Sequence, residues 1–246
     1  GSGVGVSFTS DGSTIAVAHG TTPFVSVYPW SAGFGTKYAD PATLPTSTGR
    51  SVTFNAAGTV IAVAHDTSPR VSAYPWSAGF GTKYADPATL PTGNGNSVAF
   101  SPDGAAIAIA HQTTPYVSVY PWSAGFGTKY ANPATLPGGS GTGVAFNPAG
   151  TEIAVSSASS PYIIVYPWSA GFGTKYADPA TLPTGAGFGV SFCRTGSNVA
   201  VANGVTPFVT AYPWSGSGFG TKYTDPSSTV PATSSAAGVA FGQIIS

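Results

Sequence analysis

One stretch, YPWSAGFGTKYADPATLP, begins at Tyr28 and returns at Tyr74, Tyr120 and Tyr166, then in altered form at Tyr212. Its tryptophans, Trp30, Trp76, Trp122, Trp168 and Trp214, stand 46 residues apart throughout. A chain that repeats itself five times builds five equivalent units, and self-similarity of this length is the signature of an array or a propeller. Repeats that share one core form a single cooperative object, so the 246 residues are expected to make one domain.

Each repeat divides into four short strand candidates. The first is a Val-x-Phe alternation: Val6 and Phe8, Val52 and Phe54, Val98 and Phe100, Val144 and Phe146, Val190 and Phe192. Spacing of two puts each pair on one face of a strand. A turn ending in Gly12, Gly58, Gly104, Gly150 or Gly196 follows, where glycine tolerates a positive φ. The second candidate, Ile15-Ala16-Val17-Ala18 and its counterparts, alternates large with small residues, as expected where one face has little room. The third leads from Phe24 to Tyr28, where Pro29 cannot donate to a ladder and so ends or bulges the strand. A glycine-rich turn, Ser31-Ala32-Gly33-Phe34-Gly35, then leads to a fourth candidate at residues 36–39.

Four strands in one repeat, with no helical periodicity, match a propeller blade better than a solenoid coil. A lone four-stranded sheet cannot bury both faces, whereas five packed in a ring do so and protect their edges. The expected fold is therefore all-β, a five-bladed β-propeller with four antiparallel strands per blade. The blades fall at about residues 3–48, 49–94, 95–140, 141–186 and 187–235, and residues 236–246 form a tail. That tail contains Gly238-Val239-Ala240-Phe241, a sixth inner-strand motif with no blade behind it, while Val6-Ser7-Phe8 already offers that strand to the first blade. Either one of the two is displaced, or the spare strand adds to a neighbouring subunit by edge pairing, giving a homo-oligomer through Val239, Ala240 and Phe241. The last residues, Gln243-Ile244-Ile245-Ser246, depart from the repeat and read as a terminus.

The run Val98-Ala99-Phe100-Ser101-Pro102-Asp103-Gly104, followed by residues 107–110 and 117–120, resembles a WD-repeat blade, and the likeness extends over all five repeats. The resemblance implies that Val-x-Phe is the innermost strand and Thr-Lys-Tyr the outermost. The sequence departs from the family in lacking its Gly-His dipeptide, and most repeats lack the turn aspartate, so its hydrogen-bonded tetrad is not implied. Five blades are also similar to the tachylectin type of sugar-binding propeller, without its side-chain motifs. The phrase YPWSAGFGTKYA resembles repeats of phage-encoded WD-like proteins.

Charge narrows the function classes. Only 7% of residues are Asp, Glu, Lys or Arg, and eight basic residues cancel eight acidic ones. Nucleic-acid affinity comes largely from clustered cations that release phosphate counterions, so no nucleic-acid partner is expected. Net charge near zero suits a subunit of an assembly. One cysteine, Cys193, provides no intrachain disulfide framework and is expected to be a buried or neutral turn residue. Neither a membrane span nor a signal peptide is expected.

The polar residues read as structure first. His19, His65 and His111 share one place at the end of the second strand, where the other repeats carry Ser157 and Asn203. Such interchange argues for a polar strand-end residue and against a metal ring. Asp40, Asp86, Asp178 and Asp225 precede proline, with Asn132 in the third copy, and read as turn residues, as do Asp11 and Asp103. Lys37, Lys83, Lys129, Lys175 and Lys222 stand three positions earlier, and on a strand that odd offset points the two side chains to opposite faces, against a direct pair. No nucleophile–base set, phosphate loop, metal site or cofactor site is evident, so no catalysis is expected.

Aromatic residues are the candidate ligand contacts. Trp30, Trp76, Trp122, Trp168 and Trp214 serve core packing or sugar stacking, with packing the stronger reading. Tyr38, Tyr84, Tyr130, Tyr176 and Tyr223 are the expected exposed contacts. The function expected is a non-enzymatic structural or recognition module, a surface-exposed virion component in attachment or assembly, located on a virion or an extracellular surface. The alternative is a multivalent lectin with one shallow site per blade. The partners implied are other protein subunits or surface glycans.

Overall fold

A computed structural model of the chain describes residues 2–226 and 237–241. These residues contain fifteen strands and no helix: β1 (Gly3–Phe8), β2 (Thr14–His19), β3 (Val25–Pro29), β4 (Gly49–Phe54), β5 (Val60–His65), β6 (Val71–Pro75), β7 (Gly95–Phe100), β8 (Ala106–His111), β9 (Val117–Pro121), β10 (Gly141–Phe146), β11 (Glu152–Ser157), β12 (Ile163–Pro167), β13 (Gly187–Phe192), β14 (Asn198–Asn203) and β15 (Val209–Pro213). Consecutive triplets form five separate three-stranded sheets, β1-β2-β3 through β13-β14-β15. Pairing is antiparallel, with Val6 opposite Val17, for example, and Val17 opposite Ser26.

Two compact units divide the chain, Gly1–His111 with Ser118–Tyr130, and Gln112–Val117 with Ala131–Ser246. The first three sheets lie in the first unit, apart from the leading residue of β9, and the fourth and fifth sheets in the second.

Each sheet has three strands rather than the four expected from sequence. The segment after the Trp-Ser turn is held by an isolated bridge between Trp30 and Phe34 and by one backbone bond, Tyr38 N–H to the Val27 carbonyl at 2.9 Å. Pro29 offers no donor at the end of β3, and the glycines and Pro41 leave too little regular backbone between them to extend a ladder. Elsewhere the turn chemistry follows expectation: Gly12, Gly58, Gly104, Gly150 and Gly196 have φ of 67–73°. A side chain would strain that conformation.

Large and small residues on the middle strand divide the two faces as the alternation predicts. Ala16, Ala18, Val25 and Val27 of the first sheet meet Val52, Phe54, Ile61, Val63, Tyr74 and Trp76 of the second in one buried cluster. Ala62, Ala64, Val71 and Ala73 meet Val98, Ile107, Ile109, Tyr120 and Trp122 in the same way. In the second unit, Ala154, Ile163 and Val165 meet Val190, Phe192, Val199, Val201, Tyr212 and Trp214. A flatter face thus receives a bulky face at each of these three junctions, which is how sheets interdigitate without voids.

Backbone approach sets the spacing at the start of the inner strand. A Cβ on Gly49 would fall on the Phe24 carbonyl oxygen, and one on Gly95 on the Arg70 carbonyl oxygen. Only glycine admits the loop of the preceding sheet so closely.

Candidate functional site

The repeated aromatics join sheet to sheet within each unit. The Trp30 amide donates to the Ser13 carbonyl at 2.7 Å, which fixes the residue beyond the end of β3 against the preceding turn. Ala32, with φ of 58°, reverses the chain so that Phe34 lies edge-on to Trp30, ring centres 4.9 Å apart. From there the chain delivers Tyr38 to the next sheet, where its ring stands at 88° to Trp76 with centres 5.1 Å apart. Tyr84 meets Trp122 and Tyr176 meets Trp214 at the same 5.1 Å. This is the edge-to-face geometry that aromatic quadrupoles favour.

Placement of the sequence-predicted ligand contacts follows from that arrangement. Trp76, Trp122, Trp168 and Trp214 are buried, with 5–8% of their surface exposed, and Trp30 is half-buried. Tyr38, Tyr84, Tyr130 and Tyr176 are half-buried, whereas Tyr223 is 49% exposed. The Tyr223 hydroxyl donates to Asn198 Oδ1 at 2.7 Å.

A groove of about 480 Å³ opens beside the first of these junctions, lined by Asp11, Ser13, Tyr38, Trp76 and Ala78 among others. Asp11 Oδ1 accepts from the Thr9 hydroxyl at 2.6 Å, the Ser13 amide at 3.0 Å and the Ser13 hydroxyl at 2.9 Å. Those donors, the Thr9 hydroxyl foremost, hold its carboxyl down at about 2. Such a group is a permanent acceptor at neutral pH, suited to hydrogen bonding and unsuited to proton transfer. Asp103 repeats the arrangement with Ser101 and the Ala105 amide. The turn reading of both aspartates therefore holds.

The histidines sit at strand ends with hydroxyl partners. His65 Nε2 lies 3.0 Å from Ser72 Oγ, and its Nδ1 lies 3.3 Å from Thr46 Oγ1 of the incoming linker. Full burial pushes its pKa down to about 4, so it is neutral in the fold. His19 and His111 make the same Nε2 contact to Ser26 and Ser118 at 2.9 and 3.0 Å. Asn203 replaces the ring in the fifth sheet and donates to Thr210 Oγ1 at 2.9 Å. Among the described residues, no group of three or more His, Cys, Asp or Glu is placed to hold a metal ion.

One reading from sequence is corrected. Lys37 pairs with Asp40 at 2.7 Å, and Lys83 with Asp86, Lys175 with Asp178 and Lys222 with Asp225 do likewise. Because the segment is not a strand, the face-alternation rule does not separate these side chains. Each of the four aspartates thus partners the lysine three positions earlier.

The tyrosine that opens the repeated stretch is the contact that sequence reasoning missed. The hydroxyls of Tyr74, Tyr120, Tyr166 and Tyr212 donate to the carbonyls of Thr43, Thr89, Thr135 and Thr181 at 2.7–2.8 Å. Burial pushes all four phenols well above their usual range. The constant offset of 31 positions was present in the sequence, but neither residue type signals a partner at that range.

No protein-family model matches the chain, and no curated protein matches it.

Proposed function

We propose that the chain supplies five blades of a WD-like β-propeller and works as a non-enzymatic structural or recognition module, surface-exposed on a phage particle, in attachment or assembly. The observation that carries this reading is the edge-on seating of Tyr84 on Trp122, matched by Tyr38 on Trp76 and by Tyr176 on Trp214. The most strictly repeated residues join sheet to sheet, so the repetition serves construction. In each blade the irregular segment ending at Tyr38 or its equivalent stands in the outermost place. Low charge and hydroxyl-capped histidines, of which His65 and His111 are fully buried, favour a scaffold over a catalyst, and the resemblance of YPWSAGFGTKYA to phage-encoded repeats favours the virion.

The test is a turnover screen of the intact protein on chromogenic glycosides, esters and phosphoesters, beside antibody labelling of phage particles that carry the sequence. Surface labelling without turnover is expected. Turnover abolished by Asp11→Asn would overturn the non-enzymatic reading.

A second reading is favoured by the groove beside Tyr38 and Trp76, where a fixed carboxylate and hydroxyls stand next to aromatic edges. A lectin would use one such junction per blade. Binding on a glycan array that weakens for Asp11→Asn and Tyr84→Ala, with the fold intact, is its signature.

A further inference from the structure

The repeats agree around their tryptophans and diverge at the end of each sheet where the inner strand begins and the loop to the third strand turns. In the second sheet His65 stands opposite Gly49 and Ala64 opposite Ser51, so Arg50 is the extra residue of a β-bulge. A bulge re-aims its side chain out of the strand's alternation. The same slip singles out Val4, Asn96, Thr142 and Phe188 in the other sheets. Beside the bulge, the loop of the second sheet ends on Arg70, whose φ of 75° is matched by 67–71° at Phe24, Tyr116, Tyr162 and Phe208. The Arg70 amide donates to the Thr67 carbonyl at 2.8 Å, and its carbonyl accepts the His65 amide at 2.9 Å. That turn belongs to the architecture, and the side chains set the second sheet apart.

Those side chains form one hydrogen-bonded group within the first unit. The Asp66 carboxylate accepts Arg50 Nε and Nη2 at 2.8 Å each, and the Asp66 carbonyl accepts Arg70 Nη1. The same Nη1 donates to Asn94 Oδ1 at 2.8 Å. Two of the chain's three arginines therefore meet at one residue, in a sequence of which only 7% is charged. At the place of Asp66 the other repeats carry Gly20, Gln112, Ala158 and Gly204, and at the place of Arg70 they carry aromatics. None of these is charged.

The ion pair accounts for Arg50 and Asp66 and leaves the charge of Arg70 over. Arg70 donates only to neutral oxygens, a carbonyl and an amide. Its Nε and Nη2 have no partner among the described residues, and neither is shut away from water. A guanidinium held by one nitrogen, with its side-on edge free, is preorganised for two parallel hydrogen bonds to an oxyanion. Next to Asp66, Thr67 Oγ1 lies 2.8 Å from Thr46 Oγ1 and donates to Ser47 Oγ at 3.0 Å, and both threonines are exposed. Such hydroxyls donate or accept as a ligand requires.

We infer that this end of the second sheet binds an acidic oligosaccharide. The Nε–Nη2 edge of Arg70 receives two oxygens of its carboxylate or sulfate, Arg50 keeps the Asp66 carboxylate neutralised beside it, and the Thr46 and Thr67 hydroxyls meet the sugar's own. A sugar fits better than an acidic peptide because every residue of the group is polar, and a peptide's anchoring side chains have nothing there to bury against. A nucleic acid needs a longer track of cations. The inference gives the recognition module a ligand class and rests on that reading, but it uses no residue of the groove beside Tyr38 and Trp76.

Isothermal titration of the full chain at low salt tests it. Tri-galacturonate is the carboxylated probe, neocarrabiose sulfate the sulfated one, and galactotriose the neutral comparison. One acidic probe is expected to bind one to one and at least about tenfold more tightly than galactotriose, and the tighter of the two identifies the oxyanion. Arg70→Tyr installs the residue found at the same place as Tyr116 and Tyr162, so the fold is expected to persist by circular dichroism. It is expected to weaken the acidic probe at least about tenfold, and Arg70→Lys, which keeps the charge and loses the fork, to weaken it as well. Arg194→Gln removes the remaining arginine and is expected to leave binding unchanged. Binding no tighter than to galactotriose, or an affinity that both Arg70 variants retain, overturns the proposal. An equal loss in Arg194→Gln, or binding of penta-glutamate in place of either sugar, overturns it too. Binding lost in Asp11→Asn and kept in Arg70→Tyr overturns it in favour of the groove beside Tyr38. Failure here leaves the recognition reading to its own test, the turnover screen and the surface labelling.

Discussion

The hydroxyl of Tyr74 donates to the backbone carbonyl of Thr43 at 2.8 Å, joining the third strand of the second sheet to the linker that enters it. The linker has no regular structure of its own, so this bond and the Thr46 contacts to His65 and the Ser68 carbonyl position it. A bond of this kind fixes the order of sheets: the chain leaving one sheet is fastened to the far edge of the next before its inner strand begins.

Tyr74→Phe keeps the ring and removes the donor to the carbonyl of Thr43, an exposed residue to which water has access. Urea unfolding should show a loss of about 0.5–1.5 kcal/mol. Tyr28→Phe is the control, since among the described residues the Tyr28 hydroxyl donates to no threonine carbonyl. It should change stability by less than about 0.5 kcal/mol.

His65 predicts a pH dependence. Its folded pKa, about 4, lies below the ordinary 6.5, so the unfolded chain takes up the proton first as pH falls. Stability is complete above pH 6.5, declines between 6.5 and about 4, and is flat with respect to this group below that. The full span is about 3 kcal/mol at most. His65→Asn, which installs the residue found at the same place as Asn203, should flatten that interval in unfolding curves taken across it.

Gly95→Ala places a methyl on the Arg70 carbonyl oxygen, a backbone atom that cannot swing away. The expected cost is about 1–3 kcal/mol by thermal or chemical unfolding. Gly79→Ala meets no atom within 4 Å and serves as the comparison. It should be neutral or stabilising by up to about 1 kcal/mol.

Much of this architecture was legible in the sequence because it rests on local spacing. Val52 and Phe54 two apart, Ile61 and Ala62 alternating, and Gly58 closing the turn between them each state their own geometry. What escaped depends on seating between sheets or on a segment's true regularity. The bond from Tyr74 to Thr43 spans 31 positions and exists only once two sheets have packed. The Lys83–Asp86 pair was misjudged because residues 82–85 were assigned to a strand, whereas the backbone there keeps one bond, Tyr84 N–H to the Ala73 carbonyl. Tyr38 was expected to be an exposed contact, whereas its ring turns in to Trp76 and is half-buried.

The central claim is that the repeated aromatics build junctions. A double-mutant cycle on Tyr84 and Trp122, read by urea unfolding with glycan-array binding followed on the same four proteins, tests it most directly. The account predicts a coupling of about 0.5–1.5 kcal/mol between the two rings and no sugar-dependent signal to lose. Additive effects on stability, together with glycan binding that disappears in Tyr84→Ala, would contradict it and make the junction a ligand site.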